Sequence, residues 1–416
     1  MAGPEPQTGT AVSPGPAMPS TRRLSLLVAS LTAIGPFAID TYLPAFEMMA
    51  QSLGATQLEV QQTLSIYLLL FGVMNLWHGS ISDALGRRVV LLGGLAVFAV
   101  GCAGAAMSST IEQLWFWRAV QGAAGGVGMA VGRAVVRDVA RGADAQRILA
   151  QTMMLFALAP AIAPVIGGFI ATWFGWRAIF VFLTLLTGAI MISTWIQLPE
   201  TLPKARRQNL RPRELLGAYY GFFTSGSFWR LGGALAINFQ GFFIFILAAP
   251  VYLTVHLKLA PTEFAWLFIP ATAGTLIGGF IASHSAGRKS LDWAIRSGYM
   301  VMAVAAVANL LLNLRGTAPL PWAVLPIMVY STGMGIAASS LQVRLLDLAP
   351  QRAGMLSSCQ AFVQSLGNTV SAAVLVPLLW GATLHLALGM AGLLALGALL
   401  YTWHLRKTGR AAVSVN

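Results

Sequence analysis

Charged side chains are scarce in this sequence, where Asp, Glu, Lys and Arg together account for 9% of 416 residues. A soluble domain carries about 25% charged residues. Hydrophobic residues reach 57%, and the mean hydropathy is +0.73. The shortage of charge excludes an ordinary soluble globular protein and indicates a chain that lies largely in lipid.

Patterns that bind metals or nucleotide phosphates are missing as well. The sequence contains no CxxC, HExxH or GxxxxGK[ST] motif, and its five histidines are scattered. Cys102 and Cys359 lie in separate apolar segments, where small buried thiols are a better interpretation than a disulfide. No polar catalytic cluster marks a membrane interface. The sequence therefore predicts no enzyme, no metal site, no bound cofactor and no ATP-driven pump.

Long apolar runs dominate instead, and a membrane span needs about 20 mostly apolar residues. The chain offers twelve candidate stretches: 24–46, 58–82, 89–108, 113–136, 148–171, 177–197, 231–255, 264–284, 294–313, 321–341, 354–376 and 382–403. The predicted fold class is an all-α integral membrane protein with twelve transmembrane helices. Residues 1–21 are rich in Pro, Gly, Ser and Thr, and we expect them to form a disordered cytoplasmic tail.

Basic residues produce the net charge of +13, and their placement follows a membrane topology. Most of the 26 Lys and Arg fall in the terminal segments and the even-numbered connections, whereas the odd connections hold Arg177, Lys258 and Arg315. Positive charge favours the cytoplasmic side. Both termini are therefore predicted to be cytoplasmic. Contacts with membrane lipids explain the excess charge, and no nucleic-acid partner is expected.

The chain also divides into two similar halves. The predicted order is a six-helix bundle over 22–197, a cytoplasmic linker over 198–230, a second six-helix bundle over 231–405 and a cytoplasmic tail over 406–416. The run GSISDALGRR at 79–88 after span 2 is echoed by GFIASHSAGRK at 279–289 after span 8. Internal repeats with a site at their interface are typical of secondary transporters, so two pseudo-symmetric halves are predicted.

Asp40 is the one acid predicted to lie deep inside a span. A charge there costs about 2.5–3.5 kcal/mol on insertion scales. At about 1.5 Å per residue, Asp40 lies about 24 Å from the inner end of span 1. By the same measure, Arg118 lies about 8 Å from the outer end of span 4. Both charges fall at similar depth in the outer half of a core about 30 Å thick.

Two roles for this pair remain open. A carboxylate balanced between loss of water and the field of a buried arginine can load a proton on one side of a membrane and release it on the other. Asp40 would then be the proton site, with Arg118 taking part in coupling and a cationic substrate competing with the proton. The alternative is a structural ion pair that holds spans 1 and 4 together, because most intramembrane charges pair.

Five short motifs occur in order between residues 22 and 405. They are Asp40-Thr-Tyr42-Leu-Pro44; Gly79…Asp83…Gly86-Arg87-Arg88; Arg118-Ala-Val-Gln121-Gly122 with Gly132-Arg133…Arg137-Asp138; Ala163-Pro164…Gly167-Gly168; and Trp176-Arg177 with Leu198-Pro-Glu200-Thr-Leu202. In this order and spacing they resemble the Bcr/CflA (bicyclomycin/chloramphenicol resistance) family. That family belongs to the twelve-span drug:proton antiporters of the major facilitator superfamily. The motifs do not identify a substrate.

The resemblance implies a major facilitator fold and a function. The expected protein is a monomer of the bacterial inner membrane that exports small amphipathic drugs in exchange for protons by alternating access. A proton-linked exporter or importer of one metabolite, such as an amino acid or dipeptide, is the alternative that the motifs leave open.

The resemblance also implies roles for individual residues. A conformational latch on the cytoplasmic side is expected from Gly79, Asp83, Gly86, Arg87, Arg88 and Asp138. An antiporter motif that allows a bend and close helix approach is expected from Pro160, Pro164, Gly167 and Gly168. Amide groups inside lipid-length helices must face protein or water, and aromatic faces bind cations. The expected substrate-binding residues are Tyr42, Tyr67, Asn75, Gln121, Asn238, Gln240, Phe242, Phe245, Gln360 and Gln364.

Overall fold

The computed structural model describes residues 20–210 and 212–413, with the backbone alone for residue 143 and residues 408–413. The helices are α1 (Thr21–Leu53), α2 (Gln57–Asn75 and His78–Leu85), α3 (Arg87–Ala106), α4 (Ile111–Val139), α5 (Gly142–Phe174), α6 (Trp176–Gln197), α7 (Gly226–Leu247), α8 (Ala265–Ser285), α9 (Leu291–Asn313), α10 (Leu325–Leu346), α11 (Pro350–Leu379) and α12 (Thr383–Val413). A shorter linker helix, Pro212–Phe223, lies between α6 and α7. Residues 1–19 of the predicted tail over 1–21 and residues 414–416 of the predicted tail over 406–416 fall outside the described residues.

Most of these helices are suited to cross a membrane. Within the described residues, ten are long and apolar enough, and α2, bent by 49° at its break, makes the number eleven if its parts form one span. The remaining helix, α10, has 22 residues and includes the hydroxyl groups of Ser331, Thr332 and Ser340. It packs against α7, α8 and α9, so these polar groups meet protein rather than lipid. The all-α membrane fold is confirmed.

Asp40 lies where α1 is interrupted. The regular helix runs over Thr21–Asp40, a 3₁₀ turn follows over Leu43–Ala45, and the helix resumes over Phe46–Leu53. Pro44 lies in the first turn of the 3₁₀ segment, because proline has no N–H to donate but fits the start of a helix. A proline four residues after Asp40 is a sequence signal for a break or bend in this span, and the break is present.

Glycines let α1 cross α4 at backbone distance. A Cβ atom added to Gly35 would lie 2.6 Å from the carbonyl oxygen of Gly125, and one added to Gly128 would overlap the carbonyl oxygen of Leu31. Small residues at crossings are the usual means of tight helix packing in lipid. The crossing fixes the relative position of the two helices that carry Asp40 and Arg118.

The linker is shorter than the sequence predicts. α7 begins at Gly226, inside the predicted linker, and Ser225 caps it by accepting a hydrogen bond from the N–H of Phe228 at 3.4 Å. Serine is a favoured N-cap because its hydroxyl oxygen satisfies a free N–H of the first turn. Hydropathy alone misses this start, because Arg230 interrupts the apolar run just after the first turn of α7.

The two halves meet on one side of the bundle and separate on the other. We name the side where α1 begins and α6 ends the terminal side, and the opposite side the far side. On the far side, a Cβ atom on Gly168 of α5 would overlap the carbonyl oxygen of Pro261, just before α8. A small cavity of about 230 Å³ remains there, lined by residues that include Glu47 and Thr254. The larger opening between the halves faces the terminal side.

Candidate transport site

Arg118 lies in a closed cage in the first half. Its side chain is fully buried, and its guanidinium carbon lies 4.3 Å from the ring centroid of Tyr42 and 4.2 Å from that of Tyr67. Its Nη1 donates to Oε1 of Gln121 at 2.5 Å, and Nε2 of Gln121 donates to the carbonyl oxygen of Gly101 at 3.0 Å. The faces of aromatic rings attract cations. Two rings and one amide therefore replace the water that the guanidinium loses.

Hydrogen bonds hold the two rings in place. The hydroxyl groups of Tyr42 and Thr63 lie 3.1 Å apart, and the hydroxyl of Tyr67 donates to the carbonyl oxygen of Gly35 at 2.9 Å. Nε and Nη2 of Arg118 have no acceptor among the described residues. Unused buried donors are costly. The cage therefore stabilises the cation but leaves it able to bind a further acceptor.

Asp40 is buried next to this region without a partner. It is 5% exposed, and its carboxylate takes part in no hydrogen bond or ion pair with the residues that the structure describes, Arg118 included. It is the last residue of its helical segment, where backbone carbonyl oxygens disfavour negative charge. In this conformation Asp40 and Arg118 are separate buried groups, and the proton-coupling role of each stays a prediction.

The predicted antiporter motif packs against α1 and the second half. Pro160 and Pro164 lie inside α5. A Cβ atom on Gly167 would overlap the carbonyl oxygen of Thr41, the residue after Asp40. Its neighbour Gly168 meets Pro261 across the halves in the same way. One short segment of α5 therefore touches both the Asp40 region and the far-side contact, while a role specific to antiport stays a prediction.

A cavity of about 620 Å³ lies between the halves toward the terminal side. Its lining includes Met129 and Arg133 of α4 and side chains of α7, α9, α10 and α11: Leu235, Asn238, Phe239, Met302, Met334, Ala337, Ala338, Ser339, Leu341, Gln342, Leu346, Ser357, Gln360, Ala361 and Gln364. Drug-sized ligand sites measure about 300–1,000 Å³. The volume and the mixture of apolar and amide groups suit a small amphipathic molecule.

The predicted substrate residues divide between this cavity and other places. Asn238, Gln360 and Gln364 line it. Tyr42, Tyr67 and Gln121 belong to the Arg118 cage instead. The remaining residues lie elsewhere: Asn75 at the break of α2, Gln240 in a hydrogen bond of 2.8 Å to Asn368, and Phe242 and Phe245 buried in α7. Their contact with substrate stays a prediction.

Arg87 is the centre of the terminal-side charge cluster. Its Nη2 lies 2.5 Å from Oδ1 of Asp83, its Nε lies 3.1 Å from Oδ2 of Asp138, and its Nη1 donates to Oγ of Ser82 at 2.6 Å. The side chain is almost fully buried. The geometry thus joins the end of α2, the start of α3 and the end of α4 through one guanidinium.

Two residues after α6 complete this cluster. Oε1 of Glu200 accepts from the backbone N–H of Arg87 at 2.9 Å, and the hydroxyl of Thr201 donates to Asp138 at 3.1 Å. Gly86 has φ of 109°, and an added Cβ atom would overlap Glu200. A glycine is therefore required where the chain turns into α3. Gly79 has no neighbour within 4 Å of an added Cβ atom, so it makes no close contact in this conformation.

Comparison with known proteins decides the family. The profile described as Major Facilitator Superfamily matches residues 28–372. The chain belongs to the major facilitator superfamily. It is 30% identical over 271 residues to multidrug resistance protein D of Escherichia coli K12, covering 65% of this chain and 68% of that protein. It is 24% identical over 340 residues to a bicyclomycin resistance protein homolog of Haemophilus influenzae, covering 82% and 85%.

The fold of a solved major facilitator protein matches the fold of this chain. A bacterial homolog of the human lysosomal transporter Spinster, in an inward-facing and unoccupied conformation, superimposes with a TM-score of 0.71 at 15% identity, covering 94% of this chain and 98% of that one. The family resemblance carried by the sequence motifs is confirmed. Proteins of this superfamily are transporters, not enzymes, so this chain is a multi-pass membrane transporter of small molecules.

This major facilitator protein has a second charged cluster in its second half. Nη2 of Arg344, at the end of α10, donates to Oδ1 of Asp292, at the start of α9, at 2.6 Å. The hydroxyl of Tyr401 in α12 donates to the same oxygen at 2.8 Å. The pair corresponds to Arg87 and Asp138 in the first half, with the two charges exchanged.

Neighbouring arginines of this major facilitator protein offer a matched stability test. Arg87→Gln is expected to lower the free energy of unfolding by about 2 kcal/mol, because it leaves Asp83 and Asp138 without their shared cation. Within the described part of the chain, Arg88 is bonded only to the carbonyl oxygen of Trp195 at 2.7 Å, so Arg88→Gln should cost less than about 1 kcal/mol. Thermal unfolding in detergent measures both variants. Equal losses would contradict a special role of Arg87 in the cluster.

Proposed function

We propose that this protein exports small amphipathic drugs in exchange for protons by alternating access. The observation that carries the proposal is Asp40, a buried carboxylate with no partner among the described residues, two positions before Tyr42 of the Arg118 cage. Ionisable groups inside membranes are expensive, and they mark proton relays in transporters. The names of relatives, multidrug resistance protein D and a bicyclomycin resistance protein homolog, support drugs as the substrate class.

The proposed orientation follows from charge. Arginines cluster at the terminal-side ends of the helices, for example Arg22, Arg87 and Arg137, and positive charge favours the cytoplasm. The terminal side is then cytoplasmic, and the chain lies in a bacterial inner membrane as a monomer in contact with lipids. In this orientation the large cavity opens to the cytoplasm, from which an exported drug enters.

The proposed cycle uses the contacts between the halves. Drug occupies the cytoplasmic cavity while the far-side contact at Gly168 is closed. Reorientation then closes the cytoplasmic side, opens the far side and exposes Asp40 to the proton-rich medium. The clusters around Arg87 and Arg344 act as latches that release and re-form as their helix ends move. One charge crossing 100 mV supplies about 2.3 kcal/mol, enough for about a fifty-fold drug gradient.

Proteoliposomes with a trapped pH-sensitive dye test this function. The vesicles are loaded at acidic pH and diluted into alkaline buffer, so that drug uptake by inverted molecules must release lumenal protons. Small amphipathic drugs are expected to raise the lumenal pH, and amino acids and dipeptides are not. Nigericin, which collapses the pH gradient, should abolish the signal. A response to one metabolite alone would instead support the metabolite transporter that the motifs leave open.

A further inference from the structure

The terminal-side cavity has one distinctive electrostatic feature. Among the described residues that line it, Arg133 is the one ionisable side chain, and the others are apolar, hydroxyl or amide groups. Arg133 is exposed, lies on α4, and projects from the same face as Met129 one turn earlier. The cavity that receives substrate from the terminal side therefore carries a single positive charge.

Most of the hydrogen-bonding capacity of Arg133 is unused. Its Nε donates to the carbonyl oxygen of Met129 at 3.1 Å, and its side chain has no other hydrogen bond and no ion pair with the described residues. A guanidinium has five N–H donors in a planar fork that matches carboxylate and phosphate groups. By contrast, Arg87 and Arg344 are each bonded to an aspartate. Arg133 is therefore free to bind an anion from the cavity.

No acid among the described lining residues offsets the charge of Arg133. Arg137 lies one further turn along α4 and is exposed, but it does not line the cavity. Asp40, where a cationic substrate is predicted to compete with the proton, does not line the cavity in this conformation. A cationic substrate would thus meet repulsion without a compensating carboxylate.

The remaining wall suits the body of an amphiphile. Met129, Met302, Met334 and Phe239 present flexible or flat apolar surface, and methionine adapts to ligands of different shape. Gln342 and Gln364 add amide groups for orientation. An elongated molecule with an aromatic or aliphatic body and one acidic end can contact both Arg133 and this wall.

We propose that the cavity selects amphiphilic anions and zwitterions, whose carboxylate or phosphate group binds the guanidinium of Arg133. The inference rests on the proposed function, because it specifies the substrate class of the same transporter. Proton coupling at Asp40 and drug binding at Arg133 are then separate events, linked by the change of conformation rather than by competition for one carboxylate.

Three naphthalene probes of similar size test the charge preference. The purified full-length protein, in neutral maltoside micelles without a gradient, is titrated by calorimetry with 1-naphthaleneacetate, 1-naphthaleneacetamide and 2-(1-naphthyl)ethylamine. Hydrogen bonds to charged groups predict that the carboxylate binds about tenfold to a hundredfold more tightly than the amide. The amine should bind more weakly than the amide.

Variants on α4 separate a specific site from general surface charge. Arg133→Gln should reduce carboxylate binding to the level of the amide, Arg133→Lys should keep part of the preference, and Arg133→Glu should favour the amine. Arg137→Gln is the matched control, since it removes one exposed arginine that does not line the cavity, and it should stay within about threefold of the wild type. Gel filtration confirms that each variant is folded.

Three results would overturn the inference. They are equal binding of the probes by the wild type, an unchanged ranking in Arg133→Gln, and an equal effect of Arg137→Gln. Phosphatidylglycerol added to the micelles distinguishes a lipid phosphate from a free carboxylate as the occupant of this site, and equal competition by this lipid in the wild type and in Arg133→Gln would also overturn the inference. Because binding is measured at equilibrium, these outcomes do not depend on proton coupling. Failure of the proteoliposome assay with an intact binding preference would count against the proposed function alone.

Discussion

Asp40→Asn is expected to abolish drug transport driven by a pH gradient while leaving drug binding in the terminal-side cavity intact. Asparagine has nearly the same shape as aspartate but cannot carry a proton. Asp40 makes no hydrogen bond or ion pair with the described residues in this conformation, and it does not line the cavity. The substitution therefore removes the proposed proton carrier without removing a structural contact.

The measurement combines two assays on the same vesicles. Gradient-driven uptake, followed with the trapped dye, should vanish in Asp40→Asn, whereas exchange of labelled drug at equal pH should continue. Glu47→Gln is the matched control, because Glu47 is an exposed acid on the same helix beyond its break. Full gradient-driven uptake by Asp40→Asn would refute the coupling role. A variant that unfolds but couples normally when stabilised would favour the structural ion pair.

Gly168→Val should shift the protein toward conformations in which the far side is open. The added Cβ atom would overlap the carbonyl oxygen of Pro261 and lie 2.9 Å from its carbonyl carbon. These are backbone atoms, which cannot rotate away as a side chain can. Overpacking costs about 1–3 kcal/mol, and about 1.4 kcal/mol changes a conformational equilibrium tenfold. Transport should fall by a similar factor, since each cycle must close the far side again.

Cysteine accessibility measures this shift directly. Thr254 lines the small far-side cavity, and both native cysteines are fully buried, so Thr254→Cys provides a reporter with low background. A membrane-impermeant maleimide should label it about tenfold faster in the Gly168→Val background. Gly188→Val is the control, because an atom added to Gly188 meets nothing within 4 Å. Equal labelling in the two backgrounds would show that Gly168 does not hold the far side closed.

The sequence predicts this architecture better than it predicts the site. Runs of apolar residues locate the membrane helices because each span needs about 20 mostly apolar residues. Pro44 correctly indicates the break after Asp40. Asn238, Gln360 and Gln364 line the cavity, as expected of amides in lipid-length helices, which need protein or water. Their contact with substrate stays a prediction. Each of these inferences depends on a local sequence pattern and on the free-energy cost of exposing polar groups to lipid.

Other features depend on which helices face each other in space. The cage of Arg118 consists of aromatic rings, which carry no charge signal in a sequence. Glu200 contacts Arg87 across 113 positions of the chain, and a local pattern contains no such pairing. From the sequence, Arg133 near the end of α4 fits a charge that reaches the membrane surface as well as it fits a residue that binds substrate. Only the opening of the cavity beside it distinguishes these two interpretations.

The exchanged charges of the two terminal-side clusters differ in their fit to the helix dipoles. The start of a helix carries partial positive charge and its end partial negative charge, and each fitting or opposing side chain there contributes about 0.3–1 kcal/mol. Asp292 at the start of α9 and Arg344 at the end of α10 fit these fields. Arg87 at the start of α3 and Asp138 at the end of α4 oppose them.

The first-half cluster is therefore the intrinsically weaker of the two, and its extra acids compensate. Glu200 brings negative charge to the N-terminus of α3 by accepting the backbone N–H of Arg87, and Asp83 shares the guanidinium. Movement of the segment after α6 would remove that compensation and leave Arg87 and Asp138 opposed to the dipoles of their helices. We therefore expect the first-half cluster, which lies next to the linker, to separate more readily than the second-half cluster.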